Sequence, residues 1–339
     1  MAKIIFVVPP ADPEAAEFAS ALKAAMADRD VTISDAKLST LLFEIRKYDL
    51  AHFFVRADGK SLQLAKFSGK IRVVQTLLDR PAKAAEAQKL LFGESVAVFS
   101  NATMEFLQNQ KPGFNATVIP PCVHLPDVTK LASGSEIRER YHVGDRMLVV
   151  ALNDAQNRKE FDSFLYIARE YNRRDVFRLL IPVYEKNKAA ESWRAKLQYS
   201  IEMEKLDAVS ILKGGEDLHS LIDASDWVVS IIRNRDEKAG SLEFPLRAVE
   251  ALLRGKPLLC FQESPISEVV RQFKSNWVTK NTEDFVRESR DIQKEEKRLE
   301  EISTELARFA RSKFDPAVVA AAYKEIYNRL LPNSAVVQK

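Results

Sequence analysis

The chain has 339 residues, of which 46% are hydrophobic and 29% are charged. This is the composition of an ordinary globular protein, and the length fits two domains better than one. The 51 basic and 48 acidic residues leave a net charge of only +3, which argues against nucleic acid as a partner because its binding needs a strong basic field.

The first apolar run, Ile4–Val8, ends at two prolines and is too short for a secretory signal or a membrane span. The sequence therefore predicts a cytoplasmic protein and leaves open a peripheral contact with the inner face of an anionic membrane. Cys122 and Cys260 are far apart and have no histidine at ligand spacing, so no metal site is predicted.

Strand and helix patterns alternate along the first part of the chain. The apolar run Ile4–Val8 leads into residues at helical spacing from Pro13, which is the opening unit of a parallel α/β sheet. Further strands are predicted at 50–55, 71–76, 95–99 and 117–119, and helices at 61–67, 82–91 and from 101 to 108. We interpret residues 1–122 as a Rossmann-like domain.

A proline-dense stretch between Ile119 and Leu131 marks the predicted domain junction. The same rhythm then returns and predicts a second Rossmann-like domain at 123–312, followed by a C-terminal helix and tail at 313–339. Its predicted strands are 147–151, 177–182, 209–212, 227–231 and 257–261, and its predicted helices are 161–171, 189–204, 218–224, 245–253 and 266–273.

Several phrases occur in an order that points to a known family. They include Ser100-Asn-Ala-Thr, Val118-Ile-Pro-Pro-Cys-Val-His, Arg158-Lys-Glu-Phe-Asp, Asp217-Leu-His-Ser-Leu and Glu250-Ala-Leu-Leu-Arg-Gly-Lys-Pro. Over residues 95–330 this series resembles the glycosyltransferase family 4 group. The resemblance implies an α/β fold of the GT-B type, with two Rossmann-like domains facing each other across a cleft and C-terminal helices crossing back to the first domain.

The resemblance also implies an activity. Such enzymes move a sugar, with retention, from a nucleotide-diphosphate sugar to an acceptor such as a glycan or a lipid-linked molecule. They use neither a metal nor a cofactor besides the donor. The barrier falls when cations and backbone N–H groups stabilise the charge on the departing diphosphate.

The resemblance assigns donor contacts to particular residues. Glu250 stands at the position of the glutamate that binds the ribose hydroxyls, and Lys159 at the position of the lysine that binds the diphosphate. A basic loop with Arg233, Arg235 and Lys238 follows a predicted strand, at the sheet edge where ligands of such folds bind. Arg247, on the next helix, completes this set of predicted phosphate contacts.

Three departures from the family pattern weaken the enzymatic interpretation. Asp154 stands near the position of the family's phosphate-binding arginine, where a carboxylate would repel a diphosphate. Leu242 occupies the position of the glutamate that contacts the donor sugar, and Glu243, one residue later, is the candidate for that role. Pro9 and Pro10 replace a glycine-rich loop in the first domain.

For acceptor activation, His52 and Asp79 join Glu243 as candidate catalytic residues. A lone histidine is more often structural, and Asp79 is named because its segment resembles the family's acceptor side. Two functions therefore stay open: a glycosyltransferase, and a catalytically inactive relative that binds a nucleotide, a glycan or a protein.

Overall fold

The structure is a computed structural model, and it describes residues 2–35, 41, 44–57, 71–81, 91–110, 116–183, 188–212, 217–232 and 243–331. The chain divides into two compact units. The first unit comprises Met1–His124, Gly240–Val249 and Ser312–Lys339, and the second comprises Leu125–Ala239 and Glu250–Arg311. Residues 240–249 belong to the first unit although they lie inside the predicted second domain, because Phe244 packs on Phe99 there.

The first unit is built on a six-stranded parallel sheet with the order β2-β1-β3-β4-β5-β6. Its described elements are β1 (Lys3–Val7), α1 (Pro13–Ala24), β2 (Asp30–Ser34), β3 (Leu50–Val55), β4 (Arg72–Leu77), β5 (Ser95–Val98), α2 (Asn101–Gln110) and β6 (Ala116–Val118). Five of these six strands begin and end within about two residues of a predicted strand, so those five predictions are confirmed. Their apolar runs are the pattern from which they were predicted. The predicted helix at 61–67, and the one at 82–91 except for its last residue, lie outside the described residues.

β2 has no counterpart among the predicted strands. It pairs only with β1, so it is an edge strand, and Asp30, Thr32 and Ser34 alternate with its two apolar residues. A short, half-polar edge strand carries little of the apolar signal from which strands are predicted.

The second unit is also built on a six-stranded parallel sheet, with the order β12-β11-β10-β7-β8-β9. The strands β7, β10 and β11 are buried at every position, as expected for a parallel sheet covered on both faces. The remaining α-helices and strands among the described residues are α3 (Gly134–Arg140), β7 (Met147–Ala151), α4 (Arg158–Arg174), β8 (Phe177–Ile181), α5 (Lys188–Met203), β9 (Val209–Ile211), α6 (Leu218–Ala224), β10 (Trp227–Ser230), α7 (Leu246–Leu253), β11 (Leu258–Phe261), α8 (Ser267–Phe273), β12 (Val278–Thr279), α9 (Thr282–Lys294), α10 (Leu299–Phe314) and α11 (Pro316–Leu330).

The strand order of the second sheet reverses between β7 and β10, which are hydrogen-bonded neighbours. In open parallel sheets, ligands bind beyond the carboxyl ends of the strands at such a reversal. The segments that leave β7 and β10, together with the helices that follow them, are therefore the first place to look for a site in this unit.

The C-terminal helix α11 belongs to the first unit, as the resemblance predicts. It begins behind the N-cap Asp315, with Pro316 in its first turn, where the missing N–H costs nothing. Its Tyr323 hydroxyl lies 2.8 Å from Thr76 Oγ1 of β4, and its Tyr327 hydroxyl lies 2.7 Å from His52 Nδ1 of β3. α11 is therefore part of the core of the first unit.

Candidate functional site

The loop between β7 and α4 lies where the strand order of the second sheet reverses. Asn153 Oδ1 accepts a hydrogen bond from Ile231 N at 2.7 Å, which ties the ends of β7 and β10 together. α4 then begins at Arg158, capped by the side chain of Asn157. Lys159 is exposed, and the N-terminus of α4 lies at this edge. The N-terminus of a helix favours a negatively charged group.

Asp154, at the position where the resemblance places an arginine, is paired with a cation. Its side chain is 1% exposed, and its Oδ2 lies 2.5 Å from Arg194 Nη2 on α5. Burial raises the pKa of Asp154, and the hydrogen bond from Arg194 opposes that shift. The expected repulsion of a diphosphate is therefore offset by a cation 40 residues further along the chain, which sequence reasoning missed because no local pattern links the two residues.

Glu250, the predicted ribose ligand, is completely buried on α7. Its two carboxylate oxygens lie 2.8 and 2.9 Å from His219 Nδ1, and its Oε1 also accepts a bond from Arg254 Nε at 3.0 Å. Arg254 is 4% exposed and donates through Nη1 to Asp223 at 2.7 Å. These four residues form the His219–Glu250 cluster, in which the buried carboxylate has charged and hydrogen-bonding partners, as burial requires.

The end of α7 is fixed by the predicted Gly255-Lys256-Pro257 turn. Gly255 has φ of +75°, and a Cβ at this position would lie 2.3 Å from the carbonyl oxygen of Ser303 on α10. Lys256 N donates to Ala251 O, and Gly255 N donates to Leu252 O, which is the paired helix-ending pattern that glycine favours. The glycine therefore sets where α7 stops, directly after Arg254.

Glu243 is held in the first unit by three hydrogen bonds. Its N–H donates to Leu78 O at 2.7 Å, and its Oε1 accepts from Ser100 Oγ at 2.5 Å and Thr103 Oγ1 at 2.6 Å. The Ser100-Asn-Ala-Thr phrase therefore has a specific task here, which is to fix this carboxylate at the start of α2. Leu242 lies outside the described residues.

Arg247 and Asp79, two further candidates, are both engaged within the first unit. Arg247 forms an ion pair with Glu17 of α1. Asp79 Oδ1 accepts a hydrogen bond from Ala57 N at 2.5 Å, beyond the end of β3. Their predicted roles toward phosphate and acceptor stay predictions.

His52 is part of the hydrophobic core of the first unit. It is 0% exposed, its Nδ1 lies 2.7 Å from the Tyr327 hydroxyl, and its Nε2 lies 2.7 Å from Thr76 Oγ1. Burial lowers the pKa of His52 to about 3, so its ring is neutral near pH 7. Both ring nitrogens are engaged in a buried network, so His52 serves to hold the first unit together. We therefore assign it no catalytic role.

The predicted basic loop with Arg233, Arg235 and Lys238 lies outside the described residues. Within the described ranges, no group of three or more His, Cys, Asp or Glu side chains is arranged to hold a metal ion. In the same ranges, no helix combines the length and the apolar character needed to cross a bilayer.

The family model described as "Glycosyl transferases group 1" matches residues 135–308, which is just over half of the chain. The chain belongs to this family. The stretch matched to the group 1 glycosyl transferases contains Asp154, Lys159 and Arg194, and it contains all four residues of the His219–Glu250 cluster.

Solved structures show the same fold over nearly the whole chain. The glycosyltransferase from Rickettsia africae ESF-5 matches with a TM-score of 0.76 and 16% identity, over 98% of this chain and 100% of that chain. Anabaena Alr3699/HepE in complex with UDP matches with a TM-score of 0.75 and 15% identity, over 96% and 100%. The HepE complex with UDP-glucose matches with a TM-score of 0.73 and 15% identity, over 97% of this chain and 100% of that chain.

No curated protein sequence matches the chain. At such low identities the structural likenesses establish the fold alone, and it is the two-domain α/β fold of these glycosyltransferases. The fold predicted from the sequence is thus confirmed, and the family now rests on a match to the chain itself.

Proposed function

We propose that this group 1 family member transfers a sugar from a UDP-sugar donor to a glycan or lipid-linked acceptor. The family supports glycosyl transfer, and the likeness to HepE complexes with UDP and with UDP-glucose supports this choice of donor. We further propose that the transfer is retaining and needs no metal, as the resemblance implies.

The observation that carries this proposal is the arrangement at the carboxyl edge of the second sheet. α4 and α7 are the helices that follow β7 and β10, the two neighbouring strands at the point of reversal. α4 brings its N-terminus and Lys159 to that edge, and α7 carries Glu250. A nucleotide diphosphate needs cations and N–H groups for its phosphates and hydrogen-bond acceptors for its ribose.

In this proposal Lys159 and the N-terminus of α4 stabilise the charge that develops on the departing UDP. Arg233, Arg235, Lys238 and Arg247 are proposed to add cations around the phosphates. Glu250 serves the ribose hydroxyls. Glu243, whose carboxylate is fixed by two hydroxyl groups, is the proposed contact to the transferred sugar, and Asp79 is the proposed contact on the acceptor side.

The alternative is a family member that binds a nucleotide, a glycan or a protein and transfers nothing. Two observations favour it: the buried Asp154 stands where the family has an arginine, and the Glu250 carboxylate is completely buried. The two functions differ in one measurable respect, since only a transferase cleaves the donor.

The test is the release of UDP from UDP-glucose, followed with and without EDTA, with ADP-glucose and GDP-mannose as competing donors. We expect UDP release that EDTA leaves unchanged and a product with the anomeric configuration of the donor by NMR. Lys159→Ala should lower kcat at least tenfold, because a charged contact to phosphate contributes about 1.5–3 kcal/mol.

A matched control is Lys294→Ala, in the last turn of α9, where the lysine side chain is 71% exposed and pairs only with nearby Asp291 among the contacts described. This control should keep full activity. Binding of UDP without any cleavage of UDP-glucose, in the presence of several candidate acceptors, would favour the non-catalytic alternative.

A further inference from the structure

One face of α5 exposes two large apolar side chains that lie one helical turn apart. Among the described residues, Tyr199 and Met203 are the most exposed large apolar side chains, at 64% and 65%. The opposite face of the same helix is covered, because Leu197 and Ile201 are only 1% and 7% exposed. A single apolar side chain on a surface is ordinary, but two neighbours on one helical face form a patch that gains free energy when it is covered.

The residues around this patch are arranged symmetrically about Tyr199. With about 100° between successive residues of a helix, Ala195, Lys196, Glu202 and Met203 all lie within about 60° of Tyr199 around the helix, and all are exposed. Ala195 and Met203 are four residues before and after Tyr199, and Lys196 and Glu202 are three residues before and after it. A small side chain is therefore placed symmetrically to a large one, and a cation to an anion.

This arrangement matches a second copy of the same helix that runs in the opposite direction. A twofold axis beside Tyr199 brings each residue before Tyr199 level with the residue equally far after it on the other copy. Ala195 then lies level with Met203 of the other copy, and Lys196 with Glu202 of the other copy. A parallel pair would bring Lys196 level with Lys196 and Glu202 level with Glu202, so the repulsion of like charges opposes that orientation.

We propose that two copies of this chain form a dimer through the face of α5 that carries Tyr199, with the two helices antiparallel. The two Tyr199 rings lie at the axis, the small Ala195 leaves room for Met203 of the other copy, and two ion pairs between Lys196 and Glu202 flank the apolar centre. A single pair of helices buries less than the about 1,200 Å² of a stable complex, so the dimer forms in the micromolar range.

The charge of this face favours a second copy over a membrane as the occupant. Lys196 and Glu202 cancel each other, whereas a peripheral contact with an anionic membrane needs an excess of basic side chains around the apolar residues. The Lys196 ammonium lies 4.1 Å from the centre of the Trp193 ring, and Glu202 accepts a hydrogen bond from Gln198. These contacts hold both charged groups beside the patch, where a second copy can pair with them.

The proposed interface lies away from the side of α5 that faces the loop between β7 and α4. Arg194, which pairs with Asp154 of that loop, lies about 140° around the helix from Tyr199. The dimer therefore does not rest on the proposed function, and either proposal can fail without the other.

Sedimentation velocity tests the proposal from low micromolar concentrations to about 200 μM, over which a micromolar dimer dissociates and forms. Lys196→Glu brings carboxylates together in both pairs, and Glu202→Lys brings ammonium groups together, so each variant alone should dimerise at least about tenfold more weakly than the unmodified protein. An equimolar mixture of the two variants should dimerise as well as the unmodified protein, because opposite charges then meet in both pairs. Misfolding of either variant could not produce this recovery.

Two further variants complete the test. Tyr199→Glu removes the apolar centre and brings two like charges together at the axis, so it should stay monomeric at every concentration. Lys297→Glu changes the charge of an exposed residue outside α5 and should dimerise like the unmodified protein. Thermal unfolding of each variant at the temperature of the unmodified protein will show that the fold is retained.

Three results would overturn the inference. One is an unmodified protein that stays monomeric up to the highest concentration. Another is a dimer that Tyr199→Glu leaves intact, or whose loss in the two charge variants is not reversed by mixing them. The third is a monomer that sediments with vesicles containing phosphatidylserine and loses this binding in Tyr199→Glu, which would assign the patch to a membrane.

Discussion

The two units each contain a buried polar cluster with a histidine, and the clusters are built differently. In the first unit, His52 lies between Thr76, Tyr323 and Tyr327, is completely enclosed and has neutral partners. In the second unit, His219 is one-third exposed, and its partner Glu250 is a buried carboxylate supported by Arg254. One cluster is neutral and closed, and the other is charged and partly open.

This difference fits a stabilising role for the first cluster and the proposed binding role for the second. A neutral, fully hydrogen-bonded network fills the core at little electrostatic cost, which suits a residue that only holds α11 against β3 and β4. A buried ion pair is a poor way to gain stability, because desolvation offsets most of the attraction. The charged cluster of the second unit is therefore more easily explained by a ligand than by folding.

The largest effect on the free energy of unfolding is expected from removal of Arg254. This substitution tests how much the charged cluster depends on the ion pair between Arg254 and Glu250. Arg254→Ala leaves the completely buried Glu250 with His219 as its remaining partner in the cluster. Breaking a buried pair from one side costs about 3–5 kcal/mol. Urea unfolding should show this loss.

The control is Arg287→Ala, whose side chain is 58% exposed. It should change the free energy of unfolding by less than about 0.5 kcal/mol. Equal effects of the two substitutions would mean that the ion pair of the charged cluster is as weak as one on the surface.

Gly255→Ala tests whether the charged cluster needs the exact end of α7. The added Cβ would meet Ser303 O at 2.3 Å, and the residue would keep φ of +75°. A left-handed conformation costs about 1–2 kcal/mol, and overpacking costs about 1–3 kcal/mol more. We expect a loss of about 3 kcal/mol in unfolding free energy together with weaker UDP binding, since Arg254 directly precedes the glycine. Unchanged stability would show that α10 can move away without cost.

The neutral cluster around His52 should make the free energy of unfolding sensitive to acid. The pKa of His52 in the folded protein is about 3, below its ordinary 6.5, so the unfolded chain binds more protons between these values. The contribution of His52 is therefore fully present above pH 6.5 and is lost as the pH falls toward 3. Between pH 7 and pH 5 this loss amounts to about 2 kcal/mol. The measurement is urea unfolding of the protein and of His52→Gln at pH 7 and at pH 5. Because glutamine cannot take up a proton, the variant should lose less stability between these pH values than the unmodified protein. An equal loss in both proteins would contradict this assignment.

The smallest effect is expected from Tyr327→Phe, which removes one hydroxyl from the neutral cluster. His52 Nδ1 loses the partner at 2.7 Å, and the cost of one lost buried hydrogen bond is about 1–2 kcal/mol. UDP binding should not change. A loss of UDP affinity in this variant would contradict the division of roles between the two clusters.

The fold was predictable because parallel strands leave unbroken apolar runs, and most of the strands were found from them. The edge strand β2 was missed because three of its five residues are polar. Glu250 and Gly255 were found because they lie in one short phrase. The pairing of Arg194 with Asp154 and that of His219 with Glu250 were not found, because each joins residues 31 or more positions apart in separate elements or loops of the chain. Only the folded chain brings such residues together.

The central claim is that the second unit binds the nucleotide of a sugar donor, and a thermal shift with UDP, GDP and ADP at millimolar concentration tests it most directly. A ligand at 100 times its dissociation constant stabilises the folded protein by about 2.7 kcal/mol. The account predicts a clear upward shift with UDP, a smaller shift or none with the other two, and loss of the UDP shift in Glu250→Gln. An unchanged transition with all three nucleotides, or a UDP shift that persists in full in Glu250→Gln, would contradict it.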